Sequence, residues 1–226
     1  MKKIVLLLLL SCSVSLYAQQ FRYGVSIGFS KNSLVYDPSL YDEDGPVFSG
    51  FQYGLLFNQT FLKSELLGIT AGFNLNYAES GLTSTNISGS NSDKEWTVRA
   101  RYIEIPITLQ ARTPQLGKFV FYAEGGFAYG KCYRAMGDYW ETKANGELEG
   151  DSDLDYFDRG SANSVEYLKT NYGLQFGFGT EFEISEGATL LIGAFMQRGA
   201  TSVYSDNNDG SEVKLNQTGI RIAGLF

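Results

Sequence analysis

The chain has 226 residues, a formal charge of −7, two cysteines and no histidine. Without histidine there is no Ser-His-Asp hydrolysis, no His-ligated zinc or haem and no imidazole general base. The acidic balance argues against a nucleic-acid partner. The first predicted element is a transport signal over residues 1–19, with Lys2 and Lys3 as its positive start and Ile4 to Leu10 as its apolar core. Small residues from Ser15 to Ala18 form its exit, with cleavage near Ala18. Leu10-Ser11-Cys12 offers a second reading as a lipid-attachment box, on an unusually short apolar core. Cleavage leaves 16 basic against 25 acidic residues, a charge near −9, and a single cysteine, Cys132, so no intrachain disulfide forms. Beyond the signal no apolar stretch is long enough for a spanning helix, so any bilayer crossing is made by strands.

Residues 20–226 then read as one domain of alternating segments. The first strand, Phe21 to Phe29, sets Phe21, Tyr23, Val25, Ile27 and Phe29 on one face and Arg22, Gly24, Ser26 and Gly28 on the other. A linker from Ser30 to Ser49 follows, then a second strand, Gly50 to Gln59, and a tight turn near Lys63-Ser64-Glu65. The third strand alternates Leu67, Ile69, Ala71, Phe73, Leu75 and Tyr77 with small polar residues. Ala78 to Glu95 is Ser-, Thr- and Asn-rich and reads as a solvated loop. The fourth strand, Trp96 to Ala111, turns Glu104, Pro106, Thr108 and Gln110 inward, and Pro106 predicts a bulge or an unpaired ladder site. A turn from Arg112 to Gly117 leads to the fifth strand, Lys118 to Gly130, with Tyr122, Glu124 and Gly126 inward. Lys131 to Lys169 is the longest linker. The sixth strand, Thr170 to Ile184, turns Glu181 inward; the seventh, Thr189 to Arg198, is apolar on both faces at Leu190 to Ile192, so its facing stays open. The eighth, Glu212 to Phe226, points Ile220, Ile222, Gly224 and Phe226 outward and Arg221 inward.

Long and tight links alternate, as in barrels that stand in a membrane. The predicted fold class is all-β: an eight-stranded antiparallel up-and-down transmembrane β-barrel. Closure removes the unpaired edges that hydrocarbon does not tolerate. Phe21, Phe119, Phe182 and Phe226 cluster near one rim, and Phe29, Phe51, Tyr77, Trp96, Tyr129 and Tyr172 near the other, as in interfacial girdles. A soluble lipocalin-like barrel would carry its charges outside. Here Arg and Glu share the face with the small residues, and the opposite face is nearly uncharged.

Several segments resemble the PorT-type outer-membrane β-barrel proteins of the Bacteroidota. The most distinctive is Tyr102-Ile103-Glu104-Ile105-Pro106-Ile107-Thr108-Leu109, joined by residues 24–29, 121–126 and 173–179. The carboxy-terminal run, with Ile220, Ile222 and Phe226, resembles the signal by which the barrel-assembly machinery recognises its substrates. The resemblance implies an outer-membrane location and, for some members, a role near protein secretion. Enzymes among outer-membrane barrels resemble one another in using a catalytic histidine, so no enzyme, cofactor or metal is expected here.

The candidate site is a cluster of inward charges: Arg22, Glu104, Glu124, Glu181 and Arg221. A turn centred near Pro114 places Glu104 and Glu124 almost opposite each other, where two carboxylates in a water-poor lumen repel. The cluster reads as an ion-pair plug, with a gate or proton path as the alternative; a barrel of this size is just filled by its side chains. Asp151-x-Asp153-x-Asp155-x-x-Asp158 superficially resembles a calcium loop, but Tyr156 and Ala162 stand where glycine and glutamate belong. It reads as a solvated acidic loop, with a weak divalent-ion site bridging to lipopolysaccharide as the alternative. Cys132 reads as a half-buried thiol at the loop-side rim. The expected partners are outer-membrane lipid and lipopolysaccharide, the assembly machinery during insertion, and an envelope or secretion protein. Both termini are expected on the periplasmic side. The leading function is structural or interactive; transport of small apolar ligands and a secretion accessory are the alternatives, and an apolar inner funnel near the loop rim would favour transport.

Overall fold

The computed structural model describes residues 21–36, 48–61, 66–85, 93–143, 145–155, 166–167, 170–205 and 213–226. Its strands are β1 (Phe21–Tyr36), β2 (Phe48–Phe61), β3 (Leu67–Thr85), β4 (Asp93–Arg112), β5 (Phe119–Thr142), β6 (Leu148–Asp155), β7 (Glu166–Tyr167), β8 (Thr170–Ser185), β9 (Ala188–Gly199), β10 (Tyr204–Ser205) and β11 (Val213–Leu225). Eight of them, β1 to β5, β8, β9 and β11, wind up and down in chain order, and the antiparallel β1–β11 pairing closes the cylinder. Tyr23 and Phe226 exchange backbone N–H···O bonds of 3.1 and 2.8 Å at that seam. The predicted transport signal, including Cys12, lies outside the described residues, as does Asp158.

Alternation decides the sidedness. Phe29 is 60% exposed on the outer wall and Phe178 68%, whereas Arg221 is 4% and Glu181 2% exposed within. Paired rings mark the rims: Phe119 with Phe182 at one end, Phe29 with Phe51 and Tyr129 with Tyr172 at the other, each with centroids 5.2 Å apart. The open question of β9 resolves by packing. Leu191 and Phe195 turn inward, and Ile192 and Met196 face out, because the turn-side end of the lumen holds an apolar cluster of Leu56, Tyr122, Leu191, Ala223 and Leu225.

Pro106 behaves as its chemistry requires. The β3–β4 register runs unbroken from Ala71↔Ile107 to Asn74↔Glu104, but the two positions between them are unpaired. Gly72 lies across the gap, where a Cβ would come within 2.9 Å of the Pro106 ring, so the absent side chain makes room for the pyrrolidine.

Two expectations are corrected. In the segments expected to be loops, Ser30 to Ser49, Ala78 to Glu95 and Lys131 to Lys169, the described residues are almost all strand. β3, β4 and β5 are 19, 20 and 24 residues long, against about 9–11 needed to cross a bilayer. Their surplus continues past the apolar band as a hydrogen-bonded sheet, to which β6 adds by pairing with residues Met136 to Thr142. Above a membrane neither strand face has to be apolar, so the alternation fades and the composition resembles a loop. Trp96 lies on this extension, beyond the rim where its sequence position predicts it.

The second correction concerns register. Gly117 and Lys118 form the β4–β5 turn, closed by the Leu116–Phe119 bridge. Gly117 has φ 66°, the conformation tight hairpins demand and side chains disfavour. The turn is therefore centred three residues beyond Pro114, and the facing residues shift by twice that.

Candidate functional site in the barrel lumen

That shift separates the two carboxylates. Glu124 stands opposite Gln110, and Glu104 opposite Gly130. Six residues of strand put about 20 Å between their levels. The expected repulsion between Glu104 and Glu124 is absent.

The five predicted charges lie inside the barrel, all buried, in three groups rather than one cluster. Near the turn end, Arg22 donates to Glu181 (2.8 Å) and to Asn58 Oδ1 (2.7 Å). Arg112 donates to the same Glu181 oxygen. Asn58 extends the network to Thr70 and Gln110, both at 2.9 Å. In the second group Arg221 donates to Glu124 (2.7 Å), whose other oxygen accepts from Thr108 (3.3 Å); the Tyr122 hydroxyl also bonds Arg221. In the third, Glu104 accepts from Asn76 (2.9 Å) and from Gln197, and Asn76 also donates to Gln217 at 3.2 Å. Among the described residues Glu104 has no cationic partner; amides alone satisfy it.

Among the described residues the lumen thus holds three arginines and three glutamates, with two arginines on Glu181, one on Glu124 and none on Glu104. Arg112 is the member that sequence reasoning missed, because the predicted turn starts at that residue. The signal was present, since 104, 106, 108, 110 and 112 share one parity. Its side chain is 5% exposed.

The loop-side end of the lumen is apolar instead. Leu34, Ala78, Val98, Ala100, Tyr102, Cys132, Ala135, Val203, Val213 and Leu215 pack there, each at most 5% exposed. Val203, from the segment after β9, enters this mouth with its N–H bonded to Val213 O at 2.7 Å, and is fully buried. Cys132 is inside the cluster at 2% exposure with its thiol on Arg134 O (3.2 Å). It is not the half-buried rim thiol expected.

The described part of the acidic run, Asp151 to Asp155, is strand rather than loop. These residues belong to β6, and Asp153, at φ 56°, is held by Arg99 (2.8 Å) and by its own N–H to Asp138 (2.9 Å).

Ile220, Ile222 and Phe226 sit on the outer wall of β11 at 58%, 38% and 60% exposure. A family model described as outer membrane protein beta-barrel domain matches residues 4–223. No curated protein matches the sequence. Among solved structures the chain is similar to the outer membrane protein OprG of Pseudomonas aeruginosa (12% identity, 92% of this chain and 94% of that one, TM-score 0.46). Neisserial surface protein A is similar at 9% identity, 91% and 97% coverage and TM-score 0.42. The Ail protein of Yersinia pestis, solved with a heparin analogue, is similar at 12% identity, 92% and 99% coverage and TM-score 0.37.

Proposed function

This chain belongs to the outer membrane protein beta-barrel domain family, and from that premise we propose that it is a closed, non-enzymatic barrel serving as a rigid mount for surface strands and loops. The observation that supports this reading is the filled lumen. Ion pairs and amides occupy its middle and turn end, and the Val203 stopper with its apolar neighbours fills the loop end. In this reading the long-loop end faces outward and both termini face the periplasm, the usual arrangement of bacterial barrels. The β3–β6 sheet then projects from the surface, with the exposed acids of β6 facing the milieu. The PorT-like run at residues 102–109 supports placement in that subgroup, without carrying a secretion role across.

Planar-bilayer recording tests the reading. The purified barrel is expected to give no steady ohmic current; large, long-lived conductance steps would overturn it. One observation favours the transport alternative, the apolar character of the loop-side interior. Displacement of Val203 would turn that cluster into a funnel, and Val203→Asp separates the readings. A mount keeps a current-free bilayer but loses stability, whereas a gated carrier gains uptake of small apolar solutes.

The outward Ile220, Ile222 and Phe226 support the proposed assembly signal. Phe226→Ala is expected to lower the amount of heat-modifiable barrel in envelopes several-fold at equal synthesis. Unchanged insertion would remove the signal from this reading.

A further inference from the structure

Directly above the apolar band on one wall, the chain collects positive charge that no acid among the described residues neutralises. On β4 the outward residues Ile103, Ile105, Ile107 and Leu109 give way to Arg101; on β5, Phe127 and Tyr129 give way to Lys131. A bulge follows. Arg101 pairs with Arg134 and Tyr102 with Cys132, so Tyr133 is an extra residue. Bulges re-aim side chains, and here both Tyr133 and Arg134 are exposed on the outer wall.

Arg101 and Arg134 are therefore direct cross-strand partners, an arrangement that like charges destabilise. Among the described residues neither they nor Lys131 form an ion pair; Arg134 donates only to Met136 Sδ, at 2.9 and 3.1 Å, a weak acceptor. The contrast with Arg99, one step further out, is direct: it is neutralised by Asp138 and Asp153. Beside the cations Tyr53, Leu75, Tyr77, Arg101 and Tyr133 line an outer-wall groove of about 240 Å³.

We propose that Arg101, Lys131 and Arg134, framed by Tyr53, Tyr77 and Tyr133, bind the phosphates of an anionic glycolipid in the surrounding leaflet. Guanidinium pairs match phosphate oxygens bidentately, and the bound phosphate removes the repulsion between Arg101 and Arg134. Tyrosine suits the boundary between acyl chains and headgroups. The continuous apolar wall below the site, Ile103 and Ile105 above all, selects a lipid over a free anion, since it gives acyl chains a surface in line with the headgroup. The site rests on the proposed orientation, with the loop end in the leaflet that carries such a lipid. It is independent of whether the lumen conducts.

Native mass spectrometry of the detergent-solubilised barrel tests it, with diphosphorylated lipid A, dephosphorylated lipid A and inorganic pyrophosphate as probes. Diphosphorylated lipid A is expected to remain bound, and Arg101→Gln with Arg134→Gln to weaken it about tenfold or more, the loss of two charge-assisted contacts. Arg198→Gln, elsewhere on the wall, leaves binding unchanged. Equal retention by the double variant, equal binding of the dephosphorylated form, or displacement of lipid A by pyrophosphate would each overturn the proposal, the last by showing a free-anion site. In lipid-free detergent the double variant should melt no lower than the native barrel, because a repulsive pair has gone. A lower melting temperature would make the arginines structural and sink the assignment.

Discussion

Glu181→Gln is expected to lower the unfolding free energy by about 3–5 kcal/mol, the cost of breaking a buried ion pair from one side. Glu181 accepts from both Arg22 and Arg112, and the three side chains are 8, 5 and 2% exposed for Arg22, Arg112 and Glu181. Water therefore screens little of what remains once the carboxylate is neutral: two buried guanidiniums facing an amide. Arg112→Met should cost less, because the Arg22–Glu181 bond at 2.8 Å and its neighbour Asn58 survive. The measurement is urea-dependent folding into lipid vesicles, followed by gel mobility of the folded form. Equal losses in the two variants would show that Arg22 and Asn58 do not sustain the carboxylate alone, and a loss under about 1 kcal/mol for Glu181→Gln would mean that the triad contributes little.

The second large effect is steric. A Cβ on Gly193 would lie 2.1 Å from the Tyr122 hydroxyl and 3.1 Å from its Cζ, and one on Gly179 would lie 2.7 Å from the same hydroxyl. Glycine at 193 makes the space in which a tyrosine ring lies across a narrow lumen, whereas a Cβ at 179 would first meet the neighbouring strand's backbone, Ile192 O at 2.3 Å and Gly193 Cα at 2.6 Å. Gly193→Ala should cost about 1–3 kcal/mol, the range for overpacking. Tyr122→Phe alone should cost about 1 kcal/mol through its bond to Arg221. Combined, the two should cost less than their separate effects added, since removing the hydroxyl removes the nearest contact; pairs in contact couple by about 0.5–3 kcal/mol. Strict additivity in the same vesicle assay would show that the ring moves aside freely and that the lumen is looser than its packing indicates.

Much of this architecture was legible in the chain. Alternation at Phe21 to Phe29, Leu67 to Tyr77 and Phe119 to Tyr129 fixed which side chains face lipid, because a bilayer imposes opposite demands on the two faces of every strand. The same parity placed Arg22, Glu104, Glu124, Glu181 and Arg221 inside. It would have placed Arg112 with them had the fourth strand been carried one residue further. Illegible were the extensions of β3, β4 and β5, which leave the apolar band and with it the pressure that writes a pattern.

What the sequence settled by itself was sidedness and strand order, both consequences of a period of two and of link lengths. Which charges meet was decided only in three dimensions. A turn centred on Gly117 rather than Pro114 moved Glu124 away from Glu104, and a curved wall brought Arg221 to Glu124 and Arg22 to Glu181 across the lumen. The bulge at Tyr133 likewise aimed Arg134 outward beside Arg101. Such contacts depend on register and closure, and a one-residue change in either moves every partner while leaving each strand's own alternation intact.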